Sequence, residues 1–355
     1  MTLILPSPRL IDPAAVPPLR WGVIGTGIGA RFVGSVHGHT PQRVVAIAAR
    51  DAAKTAAVAG RHGIDRWYTD TSALIADPGV DAVYISTPHP LHRDFALEAI
   101  AAGKPVLVEK PIAMTATAAR EIADAARAAG VLAMEAMWTR YLPQTDVLRQ
   151  ILADGLLGDV RLVRADFGPL IPYDPGSRLW NPALGGGGLL DAGIYPIALA
   201  SMVLGTPSGV VAAGTVTPDG VDATANILLT SEADSAALLS TSLVTSLPAT
   251  ADVAGSAGRV AFASPWFTPT EMTVVVGPWG AQETATWRHP SVDGPTDGYA
   301  YQATAFASYV AEGWVESPLH THDETVSILA TIDEVRGQLR RSARPAFVHN
   351  HRQGG

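Results

Sequence analysis

The sequence predicts an α/β chain in two parts. A doubly wound parallel sheet comes first, followed by an α+β region on a large, mostly antiparallel open sheet. Three observations carry this expectation. Short β-branched runs alternate with Ala-rich helical stretches from Leu19 to Tyr141, as in βαβ units that feed a parallel sheet. From Val210 to about Thr286, strand signals follow one another directly, separated by turn residues. The chain has 355 residues, 47% of them hydrophobic and 16% charged, enough apolar material to fill two cores.

Residues 1–18 carry Pro6, Pro8, Pro13, Pro17 and Pro18 and read as an extended arm, because proline rings break any helix there. Residues 19–141 read as the first domain. WGVIG (21–25) is a buried strand, followed by a glycine turn and a helix from about Ala30 to His37. VVAIAA (44–49) is the next strand, and Asp51 caps a helix that ends near Gly63. Strands DAVYIST (81–87), PVLVEK (105–110) and VLAMEA (131–136) follow, with helices through FALEAIAAG and from about Thr115 to Gly130. Five strand signals result. Residues 142–355 form the second domain: a helix from Asp146 to Ala153, a strand at 160–168, and a Pro/Gly-rich loop. A glycine run at 185–188 opens another helical stretch. Turns fall at Pro218–Gly220, Glu232–Ser235 and Gly255–Gly258, and helices return at Tyr299–Gly313 and Asp323–Arg341.

Composition excludes several functions. There are no cysteines, so disulfides, thiolate nucleophiles and Cys-ligated metals are absent, and a cytoplasmic protein is expected. Net charge is −8 and basic residues are scattered, which leaves no footprint for a phosphate backbone, so nucleic acid is not an expected partner. The N-terminus lacks the basic, apolar pattern of a signal peptide. The longest apolar stretch, Leu189–Gly205, is interrupted by Asp191 and Pro196, so no membrane partner is expected. His89 and His92, like His320 and His322, lack a neighbouring carboxylate cluster, so no metal is expected.

Gly25-Thr26-Gly27-Ile28-Gly29-Ala30 fits G-x-G-x-x-A between a strand and a helix. In this Rossmann arrangement Gly25 makes the tight turn and Gly27 admits a pyrophosphate to the backbone. Ala30 permits close helix packing, and the helix N-terminus attracts the negative charge. Thr26 and Ile28 belong to the same cofactor-binding turn. The alternative is a tight βα turn with nothing bound. Where NAD enzymes carry an acid for the ribose, this chain has Ala48-Ala49-Arg50. A guanidinium suits the 2′-phosphate of NADP, while the following Asp51 could serve the ribose of NAD.

Only three lysines occur, Lys54, Lys104 and Lys110. Lys110 ends the strand PVLVEK, at the edge where open α/β sheets bind ligands. Asp191 and Tyr195 are four apart, on one face if helical. Pro196 limits that helix, which can begin near Gly193 and leave Asp191 in the preceding turn. Alternatively, Asp191 is a helix cap and Tyr195 a core residue.

Glu109-Lys110-Pro111, the glycine turn and GGGLLDAGIYP (186–196) together resemble the Gfo/Idh/MocA oxidoreductases, which include glucose–fructose oxidoreductase and inositol dehydrogenase. AARD (48–51), HPLH (89–92), MEAMWTRYLP (134–143), GDVRLVRADFG (158–168) and SPWFTPTEM (264–272) resemble the dihydrodiol dehydrogenase and NADP-dependent D-xylose dehydrogenase subgroup. The resemblance runs from about Leu19 to Arg341. It implies that Lys110 holds substrate hydroxyl and nicotinamide ribose, that Asp191 orients the reacting group, and that Tyr195 exchanges the proton. Most of the family has His at the Tyr195 position; the subgroup has Tyr. A phenol ionises near about pH 10, so Tyr195 depends on the Lys110 ammonium. The Lys-Pro peptide is commonly cis in the family.

Glu109, Thr87 and His89 are expected to border the cofactor. Trp138, Arg140, Phe167 and Trp266, with Asp191 and Tyr195, are expected to line the substrate cleft, although aromatics there also serve simply as core. The resulting expectation is an NADP-dependent dehydrogenase of a sugar, cyclic polyol or trans-dihydrodiol, transferring a hydride between a carbinol and the cofactor. A keto-sugar reductase and a non-enzymatic dinucleotide-binding regulator are the alternatives. The free face of the second sheet pairs subunits in the family, which implies a homodimer.

Overall fold

A computed structural model describes residues 3–288, 298–341 and 344–345. Contacts divide the chain into two units: Leu10–Leu142 with Val292–Val326, and Met1–Arg9 with Pro143–Ser291 and Ser327–Gly355.

The first unit holds six strands: β1 (Arg20–Ile24), β2 (Arg43–Ala48), β3 (Arg66–Tyr68), β4 (Ala82–Ile85), β5 (Val106–Glu109) and β6 (Ala133–Ala136). All pair in parallel, in the order β3-β2-β1-β4-β5-β6. This is the doubly wound topology, and its order reverses between β1 and β4, where such sheets bind dinucleotides. Every residue of β4, β5 and β6 is buried, as a parallel sheet covered by helices on both faces requires. The covering helices are α1 (Ile28–His39), α2 (Ala52–His62), α3 (Thr71–Ile75), α4 (His92–Ala101) and α5 (Ala116–Ala129). Their ends follow from local chemistry. Asp51 caps α2 through the amide of Lys54, Thr115 caps α5 through that of Ala118, and Gly63 and Gly130 close these helices in the left-handed region. The sequence reading missed β3, which has three residues, too few to show an alternating pattern.

The core of this unit is aromatic. Trp21 is fully buried and gives its indole N–H to Gln42 at 2.6 Å. Phe32 stacks on Tyr84 at 3.8 Å. Helix α8 (Gly298–Glu312) adds Phe306 against Trp21 at 4.8 Å, and the carbonyl of Ala303 accepts from Gln42. The boundary drawn from sequence at 141–142 leaves α8 on its other side. The segment after α8 covers the edge strand β6: Ala133 gives its N–H to Val315, and His322 Nε2 meets the Ala133 carbonyl at 2.8 Å.

The second unit begins with α6 (Pro143–Ala153) and β7 (Val160–Phe167). A helical stretch follows, wound as a π-turn over Leu189–Gly193 and then as α7 (Ile194–Leu204). The strands are β8 (Gly209–Val216), β9 (Asp222–Thr230), β10 (Ala236–Ser242), β11 (Ala251–Gly255), β12 (Gly258–Phe262), β13 (Met272–Val276), β14 (Glu283–Trp287) and the two-residue β15 (Arg344–Pro345). Their order is β14-β13-β12-β11-β7-β10-β9-β8-β15. Two antiparallel meanders therefore flank β7, which pairs antiparallel with β11 and parallel with β10; β15 pairs parallel with β8. The stretch Pro182–Leu204 is long and apolar enough to cross a membrane by composition, but 78% of its most apolar window is buried inside the fold. Helix α9 (His322–Arg341) is shared: residues through Val326 group with the first unit, and Gln338 bonds β8 in the second at Ala212 N and Val210 O. On the other face of this sheet Val211 is 62% exposed and Leu238 49%.

Candidate active site

At the carboxyl end of β1, Gly25 has φ +113°, and a Cβ there would lie 2.6 Å from the Ser86 carbonyl oxygen, so the turn admits only glycine. Gly27 precedes α1 and has no neighbour within 4 Å of where a Cβ would sit. No side chain caps the first turn of α1. A helix N-terminus left without a side-chain cap suits pyrophosphate binding. The close helix-to-strand approach falls at Gly29 rather than at Ala30. A Cβ on Gly29 would meet Ser86 Oγ and Val23 Cγ1 at 2.8 Å, whereas Ala30 is only half-buried. The helix starts at Ile28, two residues earlier than the pattern suggests, which brings Gly29 onto the sheet. Thr26 is half-buried and Ile28 37% exposed on the open side of the turn. Ser86, which the sequence reading did not single out, ties the two halves of the switch point by donating to the Ile24 carbonyl at 3.0 Å.

Arg50 follows β2, is exposed, and makes no hydrogen bond or ion pair among the described residues. The Asp51 carboxylate accepts from Lys54 N at 3.0 Å as the cap of α2.

The ends of β4 and β5 carry the remaining cofactor candidates. Thr87 Oγ1 is buried without a hydrogen-bond partner, an orphan that a ligand's polar group would satisfy. The uncapped helix start, the open approach at Gly27 and this hydroxyl fit a dinucleotide. His89 is 6% exposed and packs edge-on against His92. Lys110 is half-buried at the end of β5, and its peptide bond to Pro111 is cis. Side chains hold this turn. Glu109 Oε2 accepts the Lys110 amide at 3.2 Å, His92 Nδ1 meets the Pro111 carbonyl at 2.8 Å, and Glu135 Oε1 accepts the Ile112 amide at 2.8 Å. The other Glu109 oxygen takes a short hydrogen bond from the Tyr84 hydroxyl, and burial raises the pKa of this carboxyl. Glu109 therefore braces the lysine from within the sheet.

In the second unit the glycine run shapes the other half of the candidate set. Gly187 has φ +132°, and a Cβ there would lie 2.4 Å from Asp222 Oδ1. Asp222 is buried at the start of β9, and its Oδ2 accepts the Leu189 amide at 2.6 Å, which anchors the π-turn. Asp191 sits in this turn and Tyr195 in the first turn of α7. The change from π to α winding falls just before Pro196, which has no N–H to continue the ladder. Asp191 Oδ1 accepts from Arg178 Nη2 at 2.7 Å. Tyr195 is 8% exposed, and its ring stacks on Phe267 with centroids 5.4 Å apart; Phe167 lies 6.0 Å from Tyr195 and 4.1 Å from Phe267. Trp266 stands edge-on to Phe267 and gives its indole N–H to the Asp166 carbonyl. The structure thus gathers Tyr195, Phe167 and Trp266 around Phe267, and pairs Asp191, in the turn before Tyr195, with Arg178.

Trp138 and Arg140 lie in a short 3₁₀ turn after β6. Trp138 is 7% exposed and stacks on Tyr299 at 5.0 Å. Arg140 is 3% exposed and bonds Glu324 at 2.6 Å.

Comparison with known proteins follows the same division. Residues 19–137 match the Gfo/Idh/MocA oxidoreductase family, NAD-binding Rossmann fold, and residues 145–261 match the C-terminal domain of that family. A trans-1,2-dihydrobenzene-1,2-diol dehydrogenase of Sus scrofa is 36% identical over 329 residues, covering 90% of this chain and 96% of its own. Among solved structures, a 3-ketoreductase from Actinomadura kijaniata in complex with NADP and TDP-benzene is 28% identical with a TM-score of 0.78, over 93% of this chain and 99% of its own. An aldose-aldose oxidoreductase from Caulobacter crescentus complexed with glycerol is 25% identical with a TM-score of 0.81, over 92% and 98%. The chain belongs to the Gfo/Idh/MocA oxidoreductase family and is a dehydrogenase-class enzyme with a nicotinamide-dinucleotide fold.

Proposed function

We propose that the protein is an NADP-dependent dehydrogenase that oxidises a carbinol of a cyclic polyol, either a sugar or a trans-dihydrodiol. The observation that carries this reading is Tyr195 set in an aromatic wall of Phe167, Phe267 and Trp266, at the start of the helix whose preceding turn holds the Asp191–Arg178 pair. Such a wall suits the apolar face of a ring, and the polar pair suits its hydroxyls. A bound nicotinamide supplies the acceptor for the hydride that leaves the carbinol carbon. Tyr195 takes the hydroxyl proton in the same step, so the C–H and O–H bonds break as the carbonyl forms. Lys110 contributes the positive charge that the phenolate needs, and Asp191 orients the hydroxyl. The exposed guanidinium of Arg50 supports NADP over NAD, as does the use of Asp51 as a helix cap. The dihydrodiol dehydrogenase relatives support the substrate class. A second reading, reduction of a keto-sugar by the same residues in reverse, is favoured by the likeness to the Actinomadura 3-ketoreductase.

The outward face of the second sheet supports a homodimer. An open depression of about 380 Å³ lies there, lined among others by Val211, Leu228 and Leu238.

The reading is tested by absorbance near ~340 nm with purified protein, NADP or NAD, and a panel of D-xylose, D-glucose, myo-inositol and benzene trans-dihydrodiol near about pH 9. Turnover with NADP on one member is expected. Silence across the panel with NADPH still bound points to the reductase or to a regulator, and preference for NAD contradicts the role of Arg50.

A further inference from the structure

The turn that carries Lys110 leads into a buried charged array. Glu135 on β6, with a side chain 1% exposed, divides its carboxylate between the Ile112 amide at 2.8 Å and His320 Nε2 at 2.7 Å. His320 has a side chain with no exposure, and its Nδ1 lies 3.3 Å from Glu324 Oε2; Thr325 Oγ1 lies 3.2 Å from Nε2. The other Glu324 oxygen takes Arg140 Nη2 at 2.6 Å, from a guanidinium side chain 4% exposed. These groups meet His320 from three elements: Glu135 from β6, Arg140 from the turn after it through Glu324, and Glu324 and Thr325 from α9.

The hydrogen-bond partners of His320 point to the imidazolium. A neutral imidazole has one N–H for two carboxylates, which would leave one carboxylate oxygen facing a buried lone pair of the His320 ring, a costly arrangement. An imidazolium donates from both nitrogens. Charges then alternate negative, positive, negative, positive along the array and sum to zero. We propose that Glu135, His320, Glu324 and Arg140 form a positioning device for the Lys110 turn, with His320 held as the imidazolium and Glu135 transmitting its state to the Ile112 amide. The proposal rests on the reading of Lys110 as the lysine of the proton transfer. None of the four touches the reacting atoms in this role; they act through the backbone that aims Lys110. Displacing such a group by about 1 Å costs on the order of 100-fold in rate.

Electrostatics agree with the geometry. Burial lowers the pKa of an imidazole, yet hydrogen bonds to Glu135 and Glu324 carry that of His320 above its ordinary value, against burial and the nearby Arg140 charge. Burial likewise raises a carboxyl pKa, but His320 and Arg140 bring Glu324 down to about 2. A raised histidine pKa means that the array is complete below it and is lost as pH rises through it.

Two variants test this in the full chain. Glu135→Gln keeps an acceptor for Ile112 while removing the carboxylate charge that faces His320, and Glu324→Gln, at a side chain 22% exposed, alters only the second carboxylate, so it carries the test if the first does not fold. The readouts are the ¹⁵N shifts of the His320 ring, the pH profile of kcat for oxidation, and NADPH binding by fluorescence. In the wild type His320 is expected to stay imidazolium at neutral pH, because its pKa is held above the ordinary imidazole value. In Glu324→Gln its titration and the alkaline fall of kcat are expected to move together to lower pH by about one unit, with NADPH affinity changed less than about twofold. A neutral His320 ring at neutral pH in the wild type overturns the proposal, as does an alkaline limb that neither variant moves. Absence of wild-type turnover on any polyol defeats the functional reading alone, because the ring nitrogens still report the array.

Discussion

In the proposed reading, the choice between NADP and NAD rests on one residue. Arg50 is exposed at the end of β2 with its guanidinium uncommitted among the described residues, and its neighbour Asp51 is occupied at the cap of α2. Arg50→Ala is expected to raise KM for NADP about tenfold or more and to leave NAD kinetics nearly unchanged, since a charge-assisted hydrogen bond to phosphate contributes about 1.5–3 kcal/mol. Steady-state kinetics with both cofactors check this. Placement was legible where it follows from one strand, as with Lys110 at the end of β5. It was less legible where a role depends on where a helix begins. Ala30 fits the motif spacing, yet Gly29 makes the close approach, because α1 starts at Ile28. Phe267 lies beside Trp266 in a segment that already marked the subgroup, so its aromaticity was a usable signal. Arg178 was not findable, since nothing in a Pro/Gly-rich loop indicates a partner 13 residues away.

The elements show how local chemistry aims these residues. The glycine run, Asp222 and Pro196 together produce a wide turn followed by a helix, and the sequence reading of a helix starting near Gly193 with Asp191 before it matches that geometry. Its π winding was not legible, because it depends on the Asp222 carboxylate reaching Leu189 from a strand 33 residues on. The segment after α8 is similar. His320 and His322 read as an isolated pair, and only the fold shows them covering β6. Glu324 there has a pKa lowered from 4.5 to about 2, so its stabilising contribution is present above the unfolded value and is lost as pH falls through the folded one. The thermal midpoint of Glu324→Gln is expected to lie below that of the wild type near neutral pH. The two are expected to converge between about pH 4.5 and about pH 2, as calorimetry across that range can check.

On the scale of the whole chain, alternation of strands and helices was enough to foresee the doubly wound sheet, since each βαβ unit fixes its neighbour's direction. The antiparallel sheet was foreseen as a run of hairpins. Placement of β7 between β10 and β11 was not, because it depends on long-range pairing that no local pattern encodes. The outward face of that sheet, with Val211 and Leu238, is the surface through which we propose dimerisation. Sedimentation at micromolar concentration is expected to give a dimer mass. Leu238→Arg is expected to shift the population to monomer without loss of the folded signal, since a charge replaces apolar surface at the face.

Proton transfer by Tyr195 is tested by comparing kcat for NADP-linked oxidation in Tyr195→Phe and wild type, with NADPH binding measured alongside. The ring is kept by the substitution, so packing against Phe267 and Phe167 persists and the loss falls on the hydroxyl alone. A fall in kcat of about 100-fold or more with NADPH affinity unchanged is expected for loss of a general base. Nearly full turnover in the variant, with the cofactor still bound, would contradict the assignment and leave Tyr195 a residue of the aromatic wall.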